Sequence, residues 1–326
     1  MSGHYSQIFR PESYHGVGEK GPFFEGWYFK LVNADRSQRL AVIPAMFMGR
    51  GPEDTHAFIQ VFDGSAHRNT YLRYPADQFE GSRDTLDVKL AGNHFSSEGL
   101  QLDVQGEDLT VRGSLEFDNT HPWPSPGIMG WFAWVPIMEC YHGVVSLDHG
   151  LRGSLEINGR EVCFDGGRGY TEKDWGRGFP ACWVWVQSNH FQTVGSSLTA
   201  SIADIPLLGR RFPGFIVGVW HEGQLHRFAT YTGARLETLR VQGEDVHWVM
   251  RSRTHRLELK ARQGRTTSLA GPTPEDMGKE VLESLDATVE VKLEELKTGR
   301  TLMHERGECG GMEIHGDLSA IETTSG

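Results

Sequence analysis

Apolar and polar residues alternate over short stretches along most of this chain, and turn residues separate the stretches. Such alternation places successive side chains on opposite faces of an extended strand. It predicts strands over Phe24–Val32, Leu40–Met48, His56–Asp63, Thr85–Leu90, Leu100–Gln105, Leu109–Phe117, Gly143–Leu147, Leu151–Ile157 and Arg160–Phe164. Further strands follow over Trp183–Phe191, Leu198–Asp204, Phe215–Trp220, Gln224–Tyr231, Arg235–Gln242, His247–Ser252 and His255–Arg262. Hairpin turns come from Asp63-Gly64, Asn158-Gly159, Glu222-Gly223 and Gln242-Gly243. Only Pro274–Leu285 reads as a helix, with Thr273 as its N-cap and acids in its first turn. A last strand, Ala287–Leu296, turns at Thr298-Gly299 and returns as Thr301–Arg306. The segment 119–140 carries Pro122, Pro124, Pro126 and Pro136 yet is densely apolar, and reads as a connection lying over one domain.

Composition sharpens this picture. Forty glycines in 326 residues disfavour helices, and 9 Trp, 17 Phe and 8 Tyr favour strands. The expectation is an all-β chain of two antiparallel β-barrel or β-sandwich domains, with at most one or two short helices. The domain boundary is set near Gly166-Gly167, giving 1–166 and 167–326. A net charge of −11 without a Lys/Arg cluster excludes nucleic acid as partner. No apolar run is long enough to cross a bilayer, and Met1–Ser6 carries no signal-peptide pattern. Four scattered cysteines fit a reducing, cytoplasmic setting.

Three segments combine aromatics with carboxylates: Phe23–Lys30, Met138–Gly143, and Gly169–Gly176 running on into Trp183–Phe191. Strand alternation puts Trp183, Trp185, Gln187 and Asn189 on one face, two indoles followed by two amides, which suits either a ligand pocket or a core. Glu25 shares a face with Trp27 and Phe29, and Glu139 with Tyr141, leaving Cys140 and His142 on the other side. A carboxylate among aromatics is costly to bury alone. Glu25 therefore calls for a partner, Lys30 or Lys173, or for a protonated state. Glu172 and Asp174, read as part of a Gly-rich turn, are either capping or salt-bridge residues or acids at work. No HExxH or His-x-His motif, phosphate loop or nucleophile elbow is present among the fifteen histidines and the glycines, so neither a metal nor a cofactor is expected.

At these segments the sequence resembles the tocopherol cyclase family. Phe23-Phe24-Glu25-Gly26-Trp27-Tyr28-Phe29-Lys30, Glu139-Cys140-Tyr141-His142-Gly143, and Tyr170-Thr171-Glu172-Lys173-Asp174-Trp175-Gly176…Phe179-Pro180…Trp183–Asn189 carry the likeness, with a weaker match at Gly310-Gly311-Met312-Glu313. The plant members carry Asn where Asp174 stands. The resemblance implies a relationship to carotenoid hydratases and lipocalin-like proteins of two β-domains.

It also implies a reaction: an acid protonates the alkene of a prenylated hydroquinol, and the phenolic oxygen traps the tertiary cation as a chromanol, in an intramolecular isomerisation. That chemistry needs a protonated carboxylic acid, aromatic faces for the cation, exclusion of water and groups that hold the head. The candidate acids are Glu172 and Asp174 first, then Glu25 and Glu139. The candidate wall and head-group holders are Trp27, Tyr28, Tyr141, His142, Trp175, Trp183, Trp185, Gln187 and Asn189, in a pocket where the domains meet. The same parts would serve a hydratase, a pericyclase acting on a polyene, or a lipocalin-like carrier of a prenyl lipid. The expected partner is a hydrophobic small molecule, with transient contact to a membrane surface.

Overall fold

The computed structural model describes residues 9–124, 127–135, 138–207 and 209–323. The N-terminal Met1–Ser6 and the prolines Pro126 and Pro136 lie outside them. From Arg10 on, the described residues hold no α-helix, only four short 3-10 turns at Ala76–Gln78, Gly130–Trp134, Thr230–Thr232 and Leu318–Ala320. The rest of the regular structure is strand, as the alternation requires.

The chain forms two compact units, Met1–Phe179 with Ser268–Glu280, and Pro180–Thr267 with Val281–Gly326. Unit 1 carries β1 (Phe23–Val32), β2 (Arg39–Met48), β3 (His56–Asp63), β4 (Arg68–Tyr74), β5 (Phe79–Gly81), β6 (Asp87–Leu90), β7 (Asn93–Ser96), β8 (Gly99–Gln105), β9 (Thr110–Asp118), β10 (Cys140–Ile157), β11 (Arg160–Cys163) and β12 (Gly167–Gly176). They pair antiparallel in the order β4-β3-β2-β1-β12-β10-β9-β8-β7-β6-β5, with β11 on β10. One face buries Trp27, Phe29 and Leu31 of β1 against Leu40, Val42, Ile59, Val61, Phe95, Leu102 and Leu155. Each such side chain contributes about 1.5–3 kcal/mol on burial. The other face of β1 to β3 carries a smaller apolar patch, Phe24, Ala45, Phe47 and Phe58, with Phe179 and Met277 packed on it. Burial on both faces explains why Phe23–Val32 is apolar almost without interruption.

Unit 2 is built from β13 (Trp183–Ser188), β14 (Ser197–Leu207), β15 (Arg210–His221), β16 (Gln224–Ala229), β17 (Arg235–Gln242), β18 (Asp245–Arg251) and β19 (His255–Arg262), and from β21 (Lys279–Glu295) and β22 (Thr301–His315). Between β19 and β21, β20 (Thr267–Gly271) leads the chain back to unit 1. There Ala270 N donates to Gln60 Oε1 at 3.1 Å and Asn69 Nδ2 to the Ser268 carbonyl at 3.0 Å. The unit 2 core comes from alternate residues, among them Val184 and Val186 on β13 and Val289, Val291 and Leu293 on β21.

Two expectations are corrected. The division falls at Phe179/Pro180 rather than at Gly166-Gly167, because β12 is laced between β1 and β10 in unit 1. The helix expected over Pro274–Leu285 does not form. Thr273 Oγ1 does accept from the amides of Glu275 and Asp276 at 3.1 and 2.9 Å, but it caps one isolated turn. From Lys279 the alternation of Val281, Leu285, Ala287 and Val289 carries the chain into β21.

Candidate active site

The acids of the third motif lie not in a turn but on a strand in mid-sheet. In β12, Glu172 stands opposite Tyr28 of β1 and Val144 of β10, and Asp174 opposite Gly26 and His142. Tyr170, Glu172 and Asp174 therefore share one face with Tyr28, Lys30 and His142. Thr171, Lys173 and Trp175 share the other with Glu25 and Trp27.

On the first face, the Tyr170 hydroxyl donates to Glu172 Oε2 at 2.5 Å. His142 Nδ1 lies 2.8 Å from Asp174 Oδ1, and since a carboxylate only accepts, Nδ1 carries the hydrogen. That tautomer turns the Nε2 lone pair toward Glu172 Oε2, 3.7 Å away. Glu172 is 5% exposed, while His142 and Asp174 are partly open to solvent. The His142 backbone amide is held against Met129 Sδ at 3.2 Å. Burial and the neighbouring Asp174 push the Cys140 thiol well above its ordinary range, so it stays protonated and inert. A phenol hydrogen-bonded to a carboxyl, beside an imidazole that is itself hydrogen-bonded to a second carboxylate, is a set of groups able to pass protons. One imidazole and two carboxylates whose ligand atoms lie within 4.8 Å also have the spacing of a divalent-cation site. Sequence motifs gave no sign of this trio, because His142 and the two acids come from different strands.

The second face is arranged differently. Glu25 is fully buried and accepts from the backbone amides of His15 and Gly16 at 2.9–3.0 Å. Its ion-pair partner is Lys173, one of the two lysines expected. The Lys173 ammonium also donates to the Ser13 carbonyl and lies 5.0 and 4.7 Å from the ring centroids of Trp27 and Trp175. Burial pulls the Lys173 pKa down to about 8 against the opposing pull of Glu25. Desolvation pushes Glu25 up. With every acceptor site engaged, Glu25 is a clamp holding the segment 13–16 onto the sheet. Two of the four indoles expected to wall a substrate cation, Trp27 and Trp175, flank this lysine.

Of the other expected residues, Tyr28 lies on the face of Glu172. Tyr141 stacks on Trp175 at 5.5 Å on the clamp side and donates to the Val135 carbonyl at 2.5 Å. Glu139 is exposed and outside the cluster, its backbone carbonyl accepting from Arg177 N at 2.8 Å. Trp183, Trp185, Gln187 and Asn189 belong to unit 2. Trp183 and Trp185 share the face of β13 that turns away from Val184 and Val186, with Trp183 Nε1 donating to Glu313 Oε2 at 2.6 Å. Gln187, on the same face, is fully buried, and neither of its amide atoms has a hydrogen-bond partner among the described residues. Asn189 lies beyond the end of β13, beside the His190 ring. Tyr170 was not singled out as a site residue from the sequence, although Tyr170-x-Glu172-x-Asp174 has the spacing of one strand face.

The sequence profile described as tocopherol cyclase-like matches residues 108–316. The chain belongs to the tocopherol cyclase-like family. The match spans β10, β12 and β13, and so includes His142, Glu172, Asp174 and Gln187. Within the curated relatives, the chain is 26% identical to the chloroplastic tocopherol cyclase of Zea mays, over 80% of this chain and 67% of that protein. It is 24% identical, over the same shares, to the probable tocopherol cyclase, chloroplastic, of Oryza sativa subsp. japonica. In fold it is similar to CghA in its structure with Sch210972, at a TM-score of 0.52 and 12% identity, covering 91% of this chain and 89% of that one. The all-β, antiparallel architecture is the one reached from the alternation of residues. No helix among the described residues is long and apolar enough to cross a membrane.

Proposed function

We propose that this chain is a cofactor-independent isomerase that closes a prenylated hydroquinol into a chromanol, with Glu172 as the proton donor. The observation that carries the reading is the Tyr170–Glu172–His142–Asp174 chain on one face of β12. Protonated Glu172 gives its proton to the trisubstituted alkene, which becomes a tertiary cation. The phenolic oxygen forms the new C–O bond and releases its proton to His142 Nε2, and Asp174 stabilises the imidazolium. The proton then passes from Nε2 back to Glu172, so that acid and base are both restored and no co-reactant is consumed. Tyr28 and the phenol of Tyr170 supply aromatic faces for the cation, and the Phe24, Phe47 and Phe58 patch supplies apolar surroundings for a prenyl tail.

Exposed Phe9, Trp131 and Trp134 support access to a lipid phase, since their rings are 55, 54 and 42% exposed, with Phe9 edge-on to Trp134 at 5.8 Å. Indoles at a water–lipid boundary are stabilised there. The test is anaerobic incubation with phytyl- and geranylgeranyl-hydroquinols. A single chromanol enantiomer isomeric with its substrate supports the reading. A product heavier by one water assigns a hydratase, and saturable binding without product assigns a carrier.

A further inference from the structure

Unit 1 contains a cavity of about 310 Å³, lined among others by Phe117, Trp123, Val145, Ser146, His149 and Thr171. Thr171 faces away from Tyr170 and Glu172, so the cavity lies across the sheet from the acid chain. Two of its lining groups are buried polar atoms without a hydrogen-bond partner among the described residues, His149 Nε2 and Trp123 Nε1. Buried polar atoms are almost always paired, and two orphans in one cavity point to a ligand.

Their chemistry specifies it. Ser146 Oγ donates its one hydrogen to the Asp148 carbonyl at 3.0 Å, so it can only accept from His149 Nδ1, 3.1 Å away. The hydrogen of His149 is therefore on Nδ1, and Nε2 is a bare acceptor. Burial and the nearby Arg168 push the imidazole pKa down to about 3, so the ring stays neutral. Gly169 keeps the flank of Nε2 clear, since a Cβ there would stand 2.2 Å from it. Trp123 offers the complement, an indole N–H that can only donate. A hydroxyl group donates to the first and accepts from the second. The Phe117 ring lies 4.3 Å from the imidazole, and with the Trp123 indole it gives the cavity aromatic walls. An anion is disfavoured, because the imidazole is neutral and Glu12 also lines the cavity.

We propose that this cavity is a binding site for a small neutral phenol, held through its hydroxyl by His149 Nε2 and Trp123 Nε1. The site does not depend on the acid chemistry across the sheet. Isothermal titration and ligand-observed NMR with phenol, anisole and benzoate test it on the full chain. Phenol binds saturably, while anisole, which keeps the ring and loses the O–H, and benzoate, which is charged, bind about tenfold more weakly or worse. Trp123→Phe reduces phenol binding to the anisole level, and the binding sensitive to that substitution persists in Glu172→Gln. Equal binding of phenol and anisole overturns the proposal. So does undiminished phenol binding in folded Trp123→Phe, or loss of that binding in Glu172→Gln. Should Trp123→Phe fail to fold, Gly169→Ala, which sets a methyl group against Nε2, gives the same readout.

Discussion

Glu25 and Glu172 are both buried carboxylates of unit 1, and their neighbours give them opposite tasks. Glu25 faces an ammonium and two amide donors, all of which favour its charged form in place. Glu172 faces a phenol on one side and an imidazole lone pair on the other, partners between which a proton can move. Asp174 acts through the ring of His142, by fixing its tautomer. Asp174→Asn keeps an oxygen acceptor and should lower turnover about tenfold, less than loss of the donor itself, as steady-state kinetics would show. Activity that required added divalent cations and vanished with chelator would instead assign the trio to a metal. His149 supplies a pH signature. Its folded pKa lies below the unfolded value, so between about 6.5 and 3 the unfolded chain binds more protons, and stability falls as pH falls. Thermal melts should lose stability over that window by up to about 1.4 kcal/mol per pH unit from this group, and His149→Phe should flatten the slope. At this scale the sequence revealed that Glu25 needed either a lysine or a protonated state, since a lone buried carboxylate is costly. It did not reveal which lysine, because Lys30 and Lys173 differ only in the face each presents.

Strand β12 decides the site, and it was the hardest element to read. Gly166 precedes it and Gly167, Gly169 and Gly176 lie within it, and such glycines ordinarily mark a turn. Here Gly169 makes room for the His149 ring and Gly167 for the Val32 carbonyl, contacts that no local pattern encodes. The reverse error occurred at Pro274, where cap chemistry common to a helix start and a single turn masked the beginning of β21. By contrast β1, β2, β3 and most strands of unit 2 were legible, because their alternation is uninterrupted. The clamp across β1 and β12 yields a prediction of its own. Lys173→Met leaves Glu25 buried without its cation, and should destabilise the fold by about 3–5 kcal/mol in urea titrations. Adding Glu25→Leu should restore much of the loss, because the buried carboxyl left behind is the penalty. Additive losses would show that the amide contacts of His15 and Gly16 dominate.

Across the whole molecule, the two all-β units were foreseeable from composition, but their boundary was not. The chain crosses from unit 1 at Phe179, returns for residues 268–280, and leaves again, and such a return depends on pairings distant in sequence. The aromatic surface of Phe9, Trp131 and Trp134 belongs to the same scale. With a net charge of −11, the chain should favour zwitterionic over anionic vesicles. Trp131→Ser with Trp134→Ser should reduce sedimentation with those vesicles severalfold, and undiminished sedimentation would place lipid contact elsewhere.

The most direct measurement runs the reaction with geranylgeranyl-hydroquinol in D2O, anaerobically, for the unaltered chain and for Glu172→Gln. Proton donation from a carboxylic acid to the alkene predicts a chromanol bearing one carbon-bound deuterium, formed about 10²–10⁴-fold more slowly by Glu172→Gln. A chromanol without carbon-bound deuterium, or equal rates for the two proteins, would contradict the assignment of Glu172 as the acid.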